Sequence, residues 1–278
     1  MLNETVYSGN LSRIVKAFDG IYFREANLEL RDQCNTGIIE LDNSVALIDY
    51  PEQHPDEELI EEAEKLTQKP VKYILLTHAH CDHVNGLKHL HRKDISLLAS
   101  NRAIEELIAE GFKLPDVCEG ITESKTIELD GVEFKFEFPG GRAHSPWDML
   151  IGLPKHKIVF TGDLVVRQKY MFFHTSDIEK WKDVIEMLQK SDWEYFARGH
   201  GFICDKKYLD DVGHYLDLLS KAKELYGKNP ELISESSVLR RELSPEMEKI
   251  MAELVVITDM NNAVRQINQL IIRTAKGF

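Results

Sequence analysis

Cysteine is scarce and dispersed. Cys34, Cys81, Cys118 and Cys204 are the only four in 278 residues, and no two form a CxxC pair. That spacing argues against a disulfide framework and against a cysteine zinc site, and it fits reduced thiols. Long apolar runs are missing too. No segment approaches the roughly 18 uninterrupted apolar residues of a membrane span. The opening stretch MLNETVYSGNLSRIVKAFDG has no continuous apolar core behind a basic start, as a secretory signal would. The chain is therefore expected to be soluble and cytoplasmic, with no membrane partner. Concentrated positive charge is also absent: 34 Lys and Arg face 47 Asp and Glu, a net charge of -13, with no basic run. Such a surface repels polyanions, so no nucleic-acid partner is expected. No internal repeat or low-complexity stretch is visible, and a chain of this length holds one large domain, or one domain with an appendage.

What is present is a series of short apolar runs between amphipathic segments. Gly37–Leu41 and Val45–Asp49 flank the turn-like trio Asp42-Asn43-Ser44 and read as a hairpin. Pro55 to Leu66 reads as a helix, Val71 to Leu76 as a strand, Val84 to His91 as a short helix and Ile95 to Ala99 as a strand. Asn101 to Gly111 is expected to be a helix capped by Asn101 and stopped by Gly111. Thr126–Leu129 and Val132–Phe138 bracket Asp130-Gly131, a strong hairpin signal. Met149–Leu153 pairs with Ile158–Thr161, and the helix Asp177–Gln189 precedes the strand Trp193–Ala197. Hairpins mixed with crossover helices predict an α/β fold of the αββα kind, two sheets sandwiched between helices. After about residue 206 the strands stop. Tyr208–Tyr226 and Pro245–Lys276 read as helices, the second capped by Ser244 and followed by Gly277. The division expected is a catalytic domain over 1–215 and a helical extension over 216–278. The apolar stripe from Met247 to Ile271 must be covered, by the main domain or by a second copy of the chain.

THAHCDH, residues 77–83, sets three histidines and an aspartate directly behind the apolar strand Val71–Leu76. In an extended or turn segment His78 and His80 project the same way, and Asp82 and His83 follow as the chain turns into a helix. Imidazole nitrogens and carboxylate oxygens bind zinc at about 2 Å, so these four side chains serve one ion or divide between two. Any one of these histidines alone reads as a hydrogen-bonded structural residue; four donors together behind a buried strand read as a metal site.

Thr77-His78-Ala79-His80-Cys81-Asp82-His83, followed by Val84-Asn85-Gly86, resembles the HxHxDH signature of the metallo-β-lactamase-fold hydrolases. Ala143-His144-Ser145-Pro146-Trp147-Asp148 resembles that family's second histidine segment. Phe160-Thr161-Gly162-Asp163-Leu164 is similar to its aspartate segment, and Arg198-Gly199-His200-Gly201 to its final histidine, in matching order from about Asn35 to Tyr215. The resemblance implies that His78, His80 and His144 hold one metal, that Asp82, His83 and His200 hold a second, and that Asp163 bridges the two. Zinc is the default for such donors, with iron or manganese as substitutes. Two ions would share a hydroxide nucleophile and polarise the substrate, which makes the implied activity hydrolysis, with Asp82 as the proton shuttle. Asp49, Thr77 and Asp148 are candidates for fixing the histidine tautomers.

The bond cleaved is not written in these residues. Asp163 resembles the thioesterase, lactonase and phosphodiesterase branches more than the zinc β-lactamases, so the expected substrate is a small-molecule ester, thioester or lactone, with β-lactam hydrolysis as a side activity. The alternative is a mononuclear iron oxygenase of the persulfide dioxygenase kind; a nuclease or a non-catalytic binding module is a weaker reading. Trp147, Tyr170, Phe172, Phe173 and His174 line an apolar substrate pocket or belong to the core. His54, His89, His91, His156 and His214 are read as structural or surface residues.

Overall fold

The structure, a computed structural model, describes residues 4–27, 33–54, 58–174, 176–226 and 243–275. The chain divides into two units. The first comprises Met1–Pro139, Trp147–Asp163 and Asp192–Asp205; the second comprises Gly140–Pro146, Leu164–Ser191 and Lys206–Phe278.

Among the described residues, the strands all belong to the first unit. β1 (Glu4–Ser8), β2 (Ser12–Phe18), β3 (Ile21–Ala26), β4 (Thr36–Glu40), β5 (Val45–Ile48), β6 (Val71–Leu75), β7 (Ser96–Ser100) and β8 (Val117–Ile121) lie side by side in chain order. The first five run antiparallel; from β5 to β8 the pairing is parallel. Parallel neighbours need a crossover. α1 (Leu59–Thr67) supplies one, α2 (Cys81–Val84) with a 3-10 turn over Asn85–His89 the next, and α3 (Asn101–Ala109) the last. The second sheet comprises β9 (Lys125–Leu129), β10 (Val132–Glu137), β11 (Leu150–Leu153), β12 (Ile158–Phe160), β13 (Tyr195–Ala197) and β14 (Cys204–Asp205), and only β12 and β13 pair in parallel.

Alternation along each strand divides the apolar residues between two cores. Ile21, Phe23, Ile39, Ile48 and Leu75 of the first sheet meet Phe134, Phe136, Ile151, Ile158 and Phe160 of the second. Ile38, Leu47, Ile74 and Leu97, on the other face of the first sheet, meet Leu59 and Ala63 of α1 and Ala103 and Leu107 of α3. The sheets approach closely where β4 passes β12, because Gly37 has no side chain: a Cβ there would enter the ring of Phe160. Their ends are lashed by one residue. Asp130 and Gly131, at φ 42° and 82°, make the two-residue β9–β10 turn. From that turn the Asp130 carboxylate accepts from Asn43 N (2.8 Å), Asn43 Nδ2 (2.9 Å) and Ser44 Oγ (2.6 Å) in the β4–β5 turn.

The second unit, among its described residues, is helical. α4 (Ile178–Lys190) is capped by Asp177, which accepts from Glu179 N and Lys180 N, and it buries Ile178, Trp181, Val184, Ile185 and Leu188. α5 (Lys206–Tyr226) pairs with α4 through Lys182 and Asp217 (2.8 Å) and Gln189 and Asp210 (2.8 Å). α6 (Pro245–Ile257) and α7 (Met260–Ala275) follow.

Several boundaries differ from the sequence expectation. Two strands before residue 26 are joined at Asp19-Gly20, with Gly20 at φ 74°, and the hairpin was not anticipated. The helix expected from Val84 begins at Cys81, so Asp82 and His83 stand on a helical turn. Ser100 rather than Asn101 caps α3: its Oγ accepts from Ala103 N at 3.1 Å. The single helix expected over Pro245–Lys276 breaks at Thr258, at φ -118° and ψ -80°. Asp259 then caps α7 by accepting from Asn262 N at 2.8 Å. Met247, Ile250, Met251, Leu254, Ile267 and Ile271 of the stripe are buried within the single chain. Pro55 and Gly277 lie outside the described residues. No helix among the described residues is long and apolar enough to cross a membrane.

Gly37→Ala is expected to lower stability by about 1–3 kcal/mol through overpacking against Phe160. Urea unfolding of the variant beside the parent measures this, and an unchanged midpoint would contradict the contact.

Candidate metal centre

The parallel strands of the first unit end in the residues that matter. β6 runs into Thr77 and His78, β5 into Asp49, β12 into Gly162 and Asp163, and β13 into Arg198, Gly199 and His200. Strand ends in a packed sheet are rigid mounts, so side chains on the loops just beyond them converge with little freedom. One ligating atom from each of Asp82, His83, Asp163 and His200 lies within 4.8 Å of the other three. His83 Nε2 is 3.3 Å from Asp163 Oδ1 and 3.8 Å from Asp82 Oδ2. His200 Nε2 is 2.9 Å from Asp82 Oδ2 and 3.6 Å from Asp163 Oδ2. The His78 ring centroid is 4.6 Å from that of His80 and 4.1 Å from that of His83. His144 is buried in the second unit, on the loop before Pro146, with its ring edge-on to Trp181 at 5.4 Å.

Asp49 organises the histidines. It sits at φ 65°, in the left-handed region that aspartate tolerates better than most residues. That backbone turn points its carboxylate at three donors: Thr77 N, Thr77 Oγ1 and His83 Nδ1, each at 2.8 Å. A carboxylate only accepts, so His83 donates from Nδ1 and its lone pair is left on Nε2. The Thr77 hydroxyl gives its hydrogen to Asp49 and is left to accept from His78 Nδ1, 3.1 Å away, which leaves the His78 lone pair on Nε2 as well. Asp49 and Thr77 thus hold the tautomers as the sequence suggested; Asp148 is buried just before β11.

Electrostatics bind the set together. Burial works against charge on His83, but the carboxylates of Asp49, Asp82 and Asp163 around it outweigh burial and raise its pKa well above the ordinary value. His200 is raised in the same way, with Asp163 and Asp82 overcoming burial. Asp82 is lowered: burial opposes this, and His83 and His200 prevail. His80 is lowered: burial, with His83 adding to it, outweighs the carboxylates of Asp163, Asp82 and Glu110.

These residues fit a divalent cation. His83 Nε2 is buried, has no hydrogen-bond partner and faces a carboxylate oxygen. Space is kept clear by two glycines. A Cβ on Gly199 would strike Asp163 Oδ1 and reach His83 Cε1 at 2.8 Å, and one on Gly162 would reach Thr77 Cβ at 2.9 Å. Buried carboxylates beside imidazole lone pairs are the donor set of zinc, iron or manganese.

Of the aromatic residues expected at a pocket or in the core, Trp147 is 39% exposed under the Arg102 guanidinium, 4.9 Å from the ring centroid. Phe172 and His174 are exposed and lie against each other, tilted, at 4.4 Å, whereas Phe173 is core against Trp181. The Tyr170 side chain lies outside the described residues. His89 pairs with Glu52, His156 lies against Phe18 and His214 faces Glu253, in keeping with structural or surface roles. Sequence reading passed over the buried Cys34, whose sulfur lies within 4.8 Å of Asp49 and His83 donor atoms. Burial pushes its thiol up to about 12. No local signal marks it, since its neighbours come from elsewhere in the chain.

Comparison with known proteins agrees with this geometry. A family model described as the metallo-beta-lactamase superfamily matches residues 30–200, more than half of the chain. The chain is 25% identical over 199 residues to a metallo-beta-lactamase type 2 of Bacteroides fragilis, covering 67% of this chain and 78% of that protein. It is 28% identical over 168 residues to a metallo-beta-lactamase type 2 of Bacillus cereus. That match covers 58% of this chain and 63% of the relative, less than two thirds of the relative's length. Among solved structures, a metallo-beta-lactamase from Pontibacter korlensis superposes with a TM-score of 0.61 at 22% identity, covering 77% of this chain and 98% of that one. One from Hirschia baltica gives 0.62 at 20% identity, covering 73% and 96%. At these identities the structural likeness speaks for the fold.

Asp49→Asn keeps the left-handed backbone but replaces the acceptor facing His83 Nδ1 and Thr77 Oγ1. Metal affinity is expected to fall about 10- to 100-fold, read by competition against a chromophoric chelator; parental affinity would show that Asp49 does not orient the ligands.

Proposed function

The chain belongs to the metallo-beta-lactamase superfamily, and from that membership we propose that it is a metal-dependent hydrolase with two zinc ions. The observation that carries the reading is the convergence of Asp82, His83, Asp163 and His200 donor atoms within 4.8 Å, with His83 Nε2 buried and without a hydrogen-bond partner. His78, His80 and His144 are proposed to hold one ion, Asp82, His83 and His200 the other, with Asp163 between them. Bound there, the ions supply Lewis acidity and make water acidic enough to act as a nucleophile near neutral pH.

The chain's own groups do the rest. Asp49 holds His83 and, through Thr77, His78, so that each turns Nε2 toward the ligand set. Gly199 and Gly162 leave room beside Asp163 and Thr77 that any side chain would fill. Asp82 Oδ2 lies 2.9 Å from His200 Nε2 and 20% of its side chain remains exposed. It is placed to take a proton from attacking water and return it to the leaving group. The proposed substrate is a small molecule with an ester, thioester or lactone bond. The names of the curated relatives support β-lactam turnover as an accompanying activity, and four free thiols support a reducing, cytoplasmic setting.

Metal analysis of the purified chain beside Asp163→Asn, followed by assays of both against thioester, lactone, β-lactam and phosphodiester probes, tests the proposal. About two zinc ions per chain, with metal and hydrolysis lost in the variant, is the expected result. One iron with oxygen uptake and no hydrolysis would replace it with an oxygenase.

A further inference from the structure

Of Asp82, His83, Asp163 and His200, only His200 stands outside any helical turn. Asp82 and His83 ride on α2, whose backbone is tied at His83 N to His80 O (2.9 Å) and at His83 O to Tyr50 N (2.8 Å). Asp163 follows β12 within a 3-10 turn over Gly162–Leu164. His200 stands in an irregular loop between β13 and β14, and Gly201 next to it is at φ 114°, which only glycine adopts readily.

The loop is gripped from a distant part of the chain. Asn35, 4% exposed at the entry to β4, donates from Nδ2 to Arg198 O (2.9 Å) and to Gly201 O (2.6 Å), and its backbone N donates to Gly199 O (2.7 Å). Its Oδ1 accepts from Ala26 N at the end of β3 (2.9 Å). Both amide hydrogens and the amide oxygen are therefore engaged, and the side chain is anchored to the first sheet on one side and to the His200 loop on the other. The grip continues: Gly199 N donates to Gly162 O (2.8 Å), and Gly199 packs directly on Asp163 Oδ1. Moving the loop moves His200 relative to Asp82 and crowds or releases Asp163.

We propose that Asn35 is the positioning residue that sets His200 against Asp82 and Asp163, and thereby the second metal position of the centre. The inference rests on the metal-hydrolase reading for what His200 does. No other neutral side chain this short carries two N–H donors to span two carbonyls on either side of the histidine. Asp at position 35 would turn an acceptor toward both carbonyls. Ala would leave them buried without a donor.

The test is zinc titration, by chelator competition and by the visible spectrum of the cobalt-substituted protein, on the parent, His200→Ala, Asn35→Asp, Asn35→Ala and Asp130→Ala. Asp130→Ala removes three hydrogen bonds from the turns at the other end of β5, so it controls for general loss of stability. The expected result is that both Asn35 variants weaken, by about 10- to 100-fold, the same metal equivalent that His200→Ala abolishes, and that the cobalt spectrum shifts, while Asp130→Ala leaves both readouts at the parental value. Parental affinity in a folded Asn35→Ala overturns the inference, as does a loss matched by Asp130→Ala. Should the parent itself bind no zinc, the hydrolase reading falls and the inference with it. A parent that binds zinc beside unaffected Asn35 variants overturns the inference alone.

Discussion

Two carboxylates held side by side in a buried place are what the centre is built around. Asp82 and Asp163 both present oxygens within the four-residue donor set, and Asp163 is only 6% exposed. Removing each charge from water costs several kcal/mol, and their mutual repulsion adds to that, so such a pair persists only with positive charge between them. His83 and His200 lie where that charge is needed. Their proton affinity rises despite burial because the acids surround them. Protons and a metal ion therefore compete for one electrostatic hole, and the fold's task is to keep that hole from collapsing.

It does so with strand ends and missing side chains. β5, β6, β12 and β13 all finish at the same ligand-bearing loops, so their apolar residues, packed between the sheets or against α1 and α3, fix where those loops begin. What remains adjustable is a few residues of backbone. There the chain uses conformations that side chains resist: Asp49 at φ 65°, Gly162 at φ 49° and Gly201 at φ 114°. Each departs from ordinary strand geometry by turning sharply, and each turn is secured by hydrogen bonds to another loop rather than to its own strand.

This division explains what was legible in the sequence. The strand preceding THAHCDH, the Asp130-Gly131 hairpin and the amphipathic α4 announce themselves through local period and turn chemistry, and the two-sheet α/β fold followed from them. The hairpin at Asp19-Gly20 carries a similar turn signal, with Gly20 at φ 74°. The break at Thr258 and the cap at Ser100 each depend on one or two dihedrals, and at Thr258 the apolar stripe runs across the break and conceals it. The metal-ligand candidates stood out because a family pattern and a local cluster coincide. Asn35 and Cys34 had no such mark: Asn35 grips a loop 163 residues further along the chain, a relation that exists only after folding. Local periodicity records which residues lie on one face, and it is silent on which loop a buried amide will meet.

His83 shows how the folded chain resolves a choice that composition leaves open. It belongs to two clusters of potential ligands, one with Asp82, Asp163 and His200 and one with Cys34 and Asp49. An ion on the Cys34 side would need His83 Nδ1, which already donates to Asp49 at 2.8 Å. It would also need a thiolate, while burial holds Cys34 up to about 12. On the other side, Nε2 makes no competing hydrogen bond and faces Asp82 of the same helical turn and Asp163 of the turn after β12. One carboxylate, Asp49, thus decides which face of the imidazole is available, and it does so by occupying the other.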